Sequence, residues 1–235
     1  MSKAEKGSKF RMQQITSNPR IKSIIDDDLS KLLDKKEVLN WKSPLKKDNN
    51  YSEHRLNSKE SIKLLFGNVQ EASESFKTFW PQQSPVWDGI AVSNERDLFL
   101  FEGKSHKSET RTSTKAHNGE HLINQSLSMV ASKFGVTYPN VKKNWEGKYY
   151  QLANRIAFAW KMKEMLSITS AKYNNVYMIF LNFMNDSTMD VHDLFLSSKD
   201  CQIHYETILK EMELSINTLT ENNIFFLKAN IYYNV

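Results

Sequence analysis

Two short apolar runs flank a polar turn near the middle of the chain: Pro85-Val86-Trp87-Asp88-Gly89-Ile90-Ala91-Val92, then 93–97, then Leu98-Phe99-Leu100-Phe101-Glu102. That pattern predicts a β-hairpin. Upstream, the helical spacing of Ile24, Ile25, Leu29, Leu32 and Leu33 predicts a helix, with Asp26, Asp27 and Asp28 in its first turn as surface charge. Short helices are predicted over 58–66 and 69–79, separated at Gly67-Asn68, with Trp80-Pro81 ending the second. Leu122, Ile123, Leu127, Val130 and Phe134 predict an amphipathic helix ending at Gly135. A long helix is predicted over 147–166 and another over 199–217. The apolar run 175–183 predicts a buried strand, and 224–233 a final one. No strand is predicted before the hairpin. Residues 1–20, poor in large apolar side chains, read as a disordered basic tail, and 40–52, with Pro44 and Asp48-Asn49-Asn50, as a linker. The expectation is an α/β protein in which helices flank a small mixed β-sheet. Residues 1–50 would form a basic N-terminal tail and short helix, and 51–235 a single domain.

Composition sets limits on this picture. The chain has 235 residues, 40% of them apolar and 11% aromatic, enough to bury a sizeable core. It has no run of about 18 apolar residues, so no membrane span is expected. The polar stretch 1–11 does not resemble a secretory signal, and a cytoplasmic protein is expected. The single cysteine, Cys201, excludes an internal disulfide framework and a cysteine-based zinc site. Charge is unevenly spread. Residues 1–50 hold 12 Lys/Arg against 7 Asp/Glu, while 98–165 hold 11 against 5. The second excess follows the hairpin directly and includes Lys107 and Arg111. It suits contacts to a phosphate backbone, though a solvated face reads the same way.

The chemistry centres on the hairpin. Glu102 and Lys104 sit two apart, so a strand projects them from one face about 7 Å apart. Acidic-x-Lys triplets are common: with 27 acidic residues and 26 lysines, roughly 3 are expected by chance. Three occur, at Asp34-Lys35-Lys36, Glu102-Gly103-Lys104 and Glu146-Gly147-Lys148. Only Glu102 closes an apolar strand and follows an Asp-bearing partner. Asp88 and Glu102 would supply two hard oxygen ligands to Mg²⁺ (or Mn²⁺), with the Gly103 carbonyl as a backbone third. Lys104 would orient a water or neutralise developing charge. The plain alternative is a salt bridge at the end of a hairpin.

These residues resemble the PD-(D/E)XK nuclease superfamily, whose signature is an Asp, a turn, and an apolar strand ending in Glu-x-Lys. Phe79-Trp80-Pro81, Pro85-x-Trp87-Asp88, Glu102-x-Lys104-x-His106 and Trp145-x-Gly147-x-Tyr149-Tyr150-Gln151-x-Ala153-Asn154-Arg155 look like an uncharacterised bacterial group within it, over roughly 51–185. The resemblance implies a restriction-endonuclease-like core of helix, three-stranded meander, helix and strand. It also implies Mg²⁺-dependent cleavage of nucleic-acid phosphodiesters, with Asp88 and Glu102 as metal ligands and Lys104 as the catalytic lysine. Val86 and Trp87 separate the Pro from the Asp, a departure from the usual adjacency.

The superfamily often adds a carboxylate from its first helix, a role open to Glu74 or Glu71, with Glu74 preferred, although an exposed helix charge is the plainer reading of either. Gln151, Asn154 and Arg155 share a helix face. Gln151 would touch the nucleophilic water or Lys104, and Arg155 would bind phosphate bidentately; a plain helix surface is the alternative. His106, Lys107 and Arg111 are candidate nucleic-acid contacts. His117 and His121 are spaced as a metal pair but lack a third ligand, so a helix surface is expected, and Tyr149 and Tyr150 offer base-stacking platforms, although aromatics at helical spacing are usually core. The expected partner is nucleic acid, DNA in preference to RNA, with a homodimer possible. The alternative function is a non-catalytic nucleic-acid- or protein-binding module on the same fold.

Overall fold

Along Leu98-Phe99-Leu100-Phe101, Leu98 and Leu100 join one buried cluster while Phe99 and Phe101 join another. A strand apolar on both faces needs cover on both faces, and this requirement organises the protein. The computed structural model describes residues 4–46, 51–111, 121–168 and 170–230. Its strands are β1 (Leu39–Ser43), β2 (His54–Arg55), β3 (Val86–Trp87), β4 (Gly89–Ser93), β5 (Leu98–Lys104), β6 (Val176–Phe183) and β7 (Ile224–Ala229). Its helices are α1 (Gly7–Ser17), α2 (Pro19–Leu33), α3 (Lys59–Leu65), α4 (Val69–Lys77), α5 (His121–Lys133), the single turn α6 (Tyr138–Asn140), α7 (Tyr150–Ile168), α8 (Ser198–Glu211) and α9 (Ile216–Thr220).

Five strands form a mixed sheet in the order β1-β4-β5-β6-β7. β1, β4 and β5 are an antiparallel meander, whereas β6 and β7 run parallel to β5 and β6. The central β5 pairs with β6 along its whole length, from Leu98↔Val176 to Lys104↔Asn182. Met12 and Ile15 of α1 and Ile21, Ile25 and Leu29 of α2 cover one face. On the other, α3, α4, α5, α7 and α8 gather around Phe158, Met162, Phe180 and Tyr205. The expected α/β class with a mixed sheet between helices is therefore what forms.

The N-terminal region departs from expectation. Residues 7–17, expected as disordered tail, are helical, and β1 runs into the expected linker. α1 is held as much by polar as by apolar burial: Arg11 and Gln13 are as enclosed as Met12 and Ile15. Asn18 caps α2, accepting from the Arg20 and Ile21 N–H groups, with Pro19 at its first position. Asp26 Oδ1 accepts the Leu39 N–H at 3.3 Å, so one of the three surface-charge aspartates fastens α2 to β1. β1 then pairs with β4 through Leu39↔Ser93 to Trp41↔Ala91. Residues 7–43 are thus built into the sheet and its second core.

Smaller differences have local causes. The first hairpin arm breaks at Asp88, because Val86–Trp87 pairs with His54–Arg55 while β4 begins at Gly89. The helix predicted over 199–217 is two, α8 and α9, separated at Glu213, whose φ is +56°. The long helix starts at Tyr150 after a π-helical segment, Val141–Lys148, that is kinked at Gly147. Residues 231–233 of the expected last strand and His117 of the His117/His121 pair lie outside the described residues.

Candidate functional site

Two glycines let the acidic strand ends approach the first helix. A Cβ at Gly89 would lie 2.6 Å from Met12 Cε and 2.8 Å from Trp41 Cζ3. One at Gly103 would lie 3.2 Å from Met12 Cγ and 3.3 Å from Phe183 Cε2. α1 therefore crosses directly behind Asp88-Gly89 and Glu102-Gly103. Strand alternation turns Glu102 and Lys104 the opposite way, onto the α7 face.

There the charges converge as the spacing predicted. Lys104 Nζ donates to Glu102 Oε1 at 2.8 Å, and both are almost fully buried, at 7% and 1% exposure. Gln151, in the first turn of α7, bridges them: its amide nitrogen donates to Glu102 Oε1 at 2.8 Å and its oxygen accepts from Lys104 at 3.2 Å. Arg155 Nε, one turn further, donates to Glu102 Oε2 at 2.6 Å. Asp88, partly buried at the corner between β3 and β4, accepts the Gly103 N–H on Oδ2 at 2.8 Å.

The two carboxyls differ sharply in acidity. Burial, aided by the nearby charge of Glu102, pushes Asp88 up to about 7. Burial also opposes ionisation of Glu102, but Arg155 and Lys104 outweigh it and hold that carboxyl below the usual range. Among the described residues no group of three or more His, Cys, Asp or Glu side chains is arranged to hold a metal. Asp88 and Glu102 are a two-carboxylate donor set, and Mg²⁺ is commonly held by one or two carboxylates with waters and substrate phosphate completing the shell. An ionised Asp88, costly by itself, is the oxygen donor a divalent cation would stabilise. The residues present fit such an ion.

Space at the cluster is small. A cavity of about 10 Å³ is lined by Glu102, Lys104, Thr110, Gln151, Leu152, Phe180 and Tyr205, room for about one water. A cleft of about 460 Å³ lies elsewhere, against α3 and α4, and shares no lining residue with it. Thr110, which lines this cavity, pairs through Oγ1 with His204 Nε2 at 2.9 Å, and its neighbours are held by Lys107 with Asp200 at 2.7 Å and the Ser108 N–H with Asp193 at 2.7 Å. Burial, then Lys107 and Arg111, push His204 down to about 4, so it is neutral there.

Several expected roles change. Arg155 is not presented to a phosphate: it is 5% exposed, bound to Glu102, to the Val86 carbonyl at 2.8 Å and to Asn154 at 3.0 Å. Glu74 is exposed on α4 and paired with Lys77 at 2.6 Å, apart from the cluster. His106 sits between Asp193 and Ser108, and Lys107 is committed to Asp200. Arg111 is exposed. Tyr149 is 1% exposed, too enclosed to stack a base. The Trp145–Tyr149 motif is a latch on α8 instead: Trp145 Nε1 donates to the Met212 carbonyl, Asn144 to the Glu211 carbonyl, and Tyr149 Oη to the Glu211 carboxylate. That latch fixes the start of α7, and with it Gln151.

A second network went unpredicted. Arg11 and Ser105 both bind Asp186, which follows β6. Asn182, the one amide in the apolar strand β6, accepts from Tyr205 Oη at 2.7 Å beside the same cavity. An Asn inside the apolar stretch 176–183 was the available signal, since buried polar groups need partners.

No family model matches the chain, and neither the curated proteins nor the solved structures yield a match. Among the described residues no helix is long and apolar enough to cross a membrane.

Proposed function

We propose that this chain is a Mg²⁺-dependent nuclease of the PD-(D/E)XK type. The observation that carries the reading is the convergence of Asp88, Glu102 and Lys104 at the ends of an antiparallel strand pair, with Gln151 holding Glu102 and Lys104 in one geometry. Chain order supports it: helices, the meander β1-β4-β5, helix α7, then β6 parallel to β5, the order that the resemblance implies for a restriction-endonuclease-like core. Nucleic acid, DNA before RNA, and a homodimeric assembly belong to the same proposal.

Asp88 and Glu102 would hold the cation, which when bound polarises the phosphodiester and acidifies a water. Lys104, a compact donor beside Glu102, orients the attacking water and offsets charge that develops on the phosphoryl oxygens. Gln151 restricts the Lys104 ammonium to the position where it does both. Water attacks phosphorus and gives up a proton to solvent, the P–O bond to the leaving oxygen breaks, and the leaving oxygen takes a proton from solvent.

A second reading, a non-catalytic nucleic-acid- or protein-binding module on this fold, is favoured by the mutual neutralisation of the cluster and the 10 Å³ cavity beside it. Incubation with Mg²⁺ or Mn²⁺ and duplex, single-stranded and branched DNA or RNA separates the two. Cleavage that Asp88→Ala, Glu102→Ala and Lys104→Ala each abolish supports the nuclease. Cleavage that survives Glu102→Ala and Lys104→Ala shows that the site is misassigned, and binding without cleavage favours the module.

A further inference from the structure

Arg155 ties the two acidic arms together. Its Nε donates to Glu102 Oε2 on β5, while one terminal nitrogen donates to the Val86 carbonyl on β3, two residues before Asp88. The guanidinium carbon lies 4.9 Å over the ring of Trp87, the residue adjoining Asp88. Glu102 Oε1 meanwhile accepts from both Lys104 and Gln151. A carboxylate oxygen offers about two acceptor sites, so Oε1 is full and Oε2 half full.

With Asp88 ionised, the charges balance before any metal is present. Two cations, Lys104 and Arg155, stand near two carboxylates, the buried Glu102 and the partly buried Asp88. A divalent cation alone would leave that site with two excess positive charges, which is costly in a low-dielectric interior. A phosphodiester anion offsets part of the excess and completes the coordination. We propose that Arg155 is a positioning residue that keeps the free site neutral, so that the divalent cation and the substrate phosphodiester bind as a coupled pair. This inference rests on the nuclease reading above. The coupling is reciprocal: whatever the phosphodiester adds to cation affinity, the cation adds to phosphodiester affinity.

Without the Arg155 charge the free site is one unit negative and holds a cation unaided. Arg155→Gln keeps an amide donor for Glu102 and removes the charge, while Arg155→Lys keeps the charge and removes the fork. Calorimetric titration with Mn²⁺ alone at about pH 8, where Asp88 is ionised, checked by circular dichroism, compares wild type with both. The expected result is Mn²⁺ affinity about tenfold or more higher in Arg155→Gln, with Arg155→Lys near wild type. Arg155→Gln should also show the larger rise in melting temperature on adding Mn²⁺. In wild type, dimethyl phosphate should raise Mn²⁺ affinity, and this gain should shrink in Arg155→Gln. Equal Mn²⁺ affinity in folded Arg155→Gln and wild type, or Arg155→Lys matching Arg155→Gln, overturns the proposal while leaving the metal site standing. If Arg155→Gln fails to fold, wild-type Mn²⁺ affinity indifferent to dimethyl phosphate overturns it equally. Mn²⁺ binding unaffected by Asp88→Ala, or absent from every protein, overturns the metal reading beneath it.

Discussion

Arg11 and Asp186 form a buried ion pair between the first helix and the chain just beyond β6, with Nη2 2.8 Å and Nε 3.1 Å from Oδ1. The other carboxylate oxygen accepts Ser105 Oγ at 2.6 Å, on the residue after Lys104. Helix α1, β6 and the end of the acidic strand therefore meet at one carboxylate. Removing Arg11 leaves Asp186 buried and uncompensated, so Arg11→Met should destabilise the protein by about 3–5 kcal/mol. Ser105→Ala, which removes a single bond, should cost about 1 kcal/mol. Urea unfolding followed by tryptophan fluorescence gives both values, and equal losses would contradict this ranking.

Asp88 gives stability a pH dependence of unusual sign for a carboxyl group. Burial, then Glu102, raises its pKa from 3.8 to about 7. Between those values the folded protein keeps a proton that the unfolded chain has released, so in this window the Asp88 contribution falls as pH rises. In EDTA, Asp88→Asn should flatten the melting-temperature decline of wild type between pH 5 and pH 7. A variant with the wild-type slope would assign that decline to another group.

The close crossing of α1 sets an order among glycine substitutions. Gly89→Ala drives a methyl into Met12 and the rigid Trp41 ring, whereas Gly103→Ala meets neighbours at 3.2–3.4 Å. Gly89→Ala should cost about 1–3 kcal/mol and Gly103→Ala less. In a double-mutant cycle, Met12→Ala should relieve part of the Gly89→Ala penalty, leaving the share due to Trp41. Additive losses would mean that Met12 is not the obstruction.

The three acidic-x-Lys triplets can be told apart by activity. On the proposed reading, Lys104→Met lowers cleavage by about 10²-fold or more. Lys36→Met and Lys148→Met leave it near wild type, because Lys36 is exposed and Lys148 is paired with Glu211 on the surface. Single-turnover cleavage rates make the comparison, and a loss at Lys148 as large as that at Lys104 would redirect attention to the α8 latch.

The alternation in 98–104 was legible because both the apolar faces and the Glu-x-Lys pair obey the two-residue period of a strand. Gln151 was legible too, on a strongly helical segment. β1 was not: it is five residues long, and its partner β4 lies about fifty residues downstream, so tertiary pairing and not local pattern makes it a strand. α1 was hidden for a different reason. Arg11 and Gln13 are buried with Met12 and Ile15, so no apolar stripe marks the helix, and the carboxylate that holds Arg11 is 175 residues away. The role of Arg155 depends likewise on Glu102, 53 residues upstream. Sequence showed an arginine on a helix face but not the strand which that face meets.

The separation in sequence between Glu102 and Arg155 has a kinetic consequence. Asp88, Glu102 and Lys104 are brought together by the β4–β5 hairpin, a local event that closes on a microsecond scale. Gln151 and Arg155 arrive only when α7 docks, after a much longer loop has closed. A hairpin that closes ahead of α7 brings its two carboxylates together with Lys104 but without Arg155. On that order Arg155→Gln should speed unfolding and leave the folding rate nearly unchanged in stopped-flow urea jumps, whereas a slowed folding rate would place the docking of α7 before the transition state.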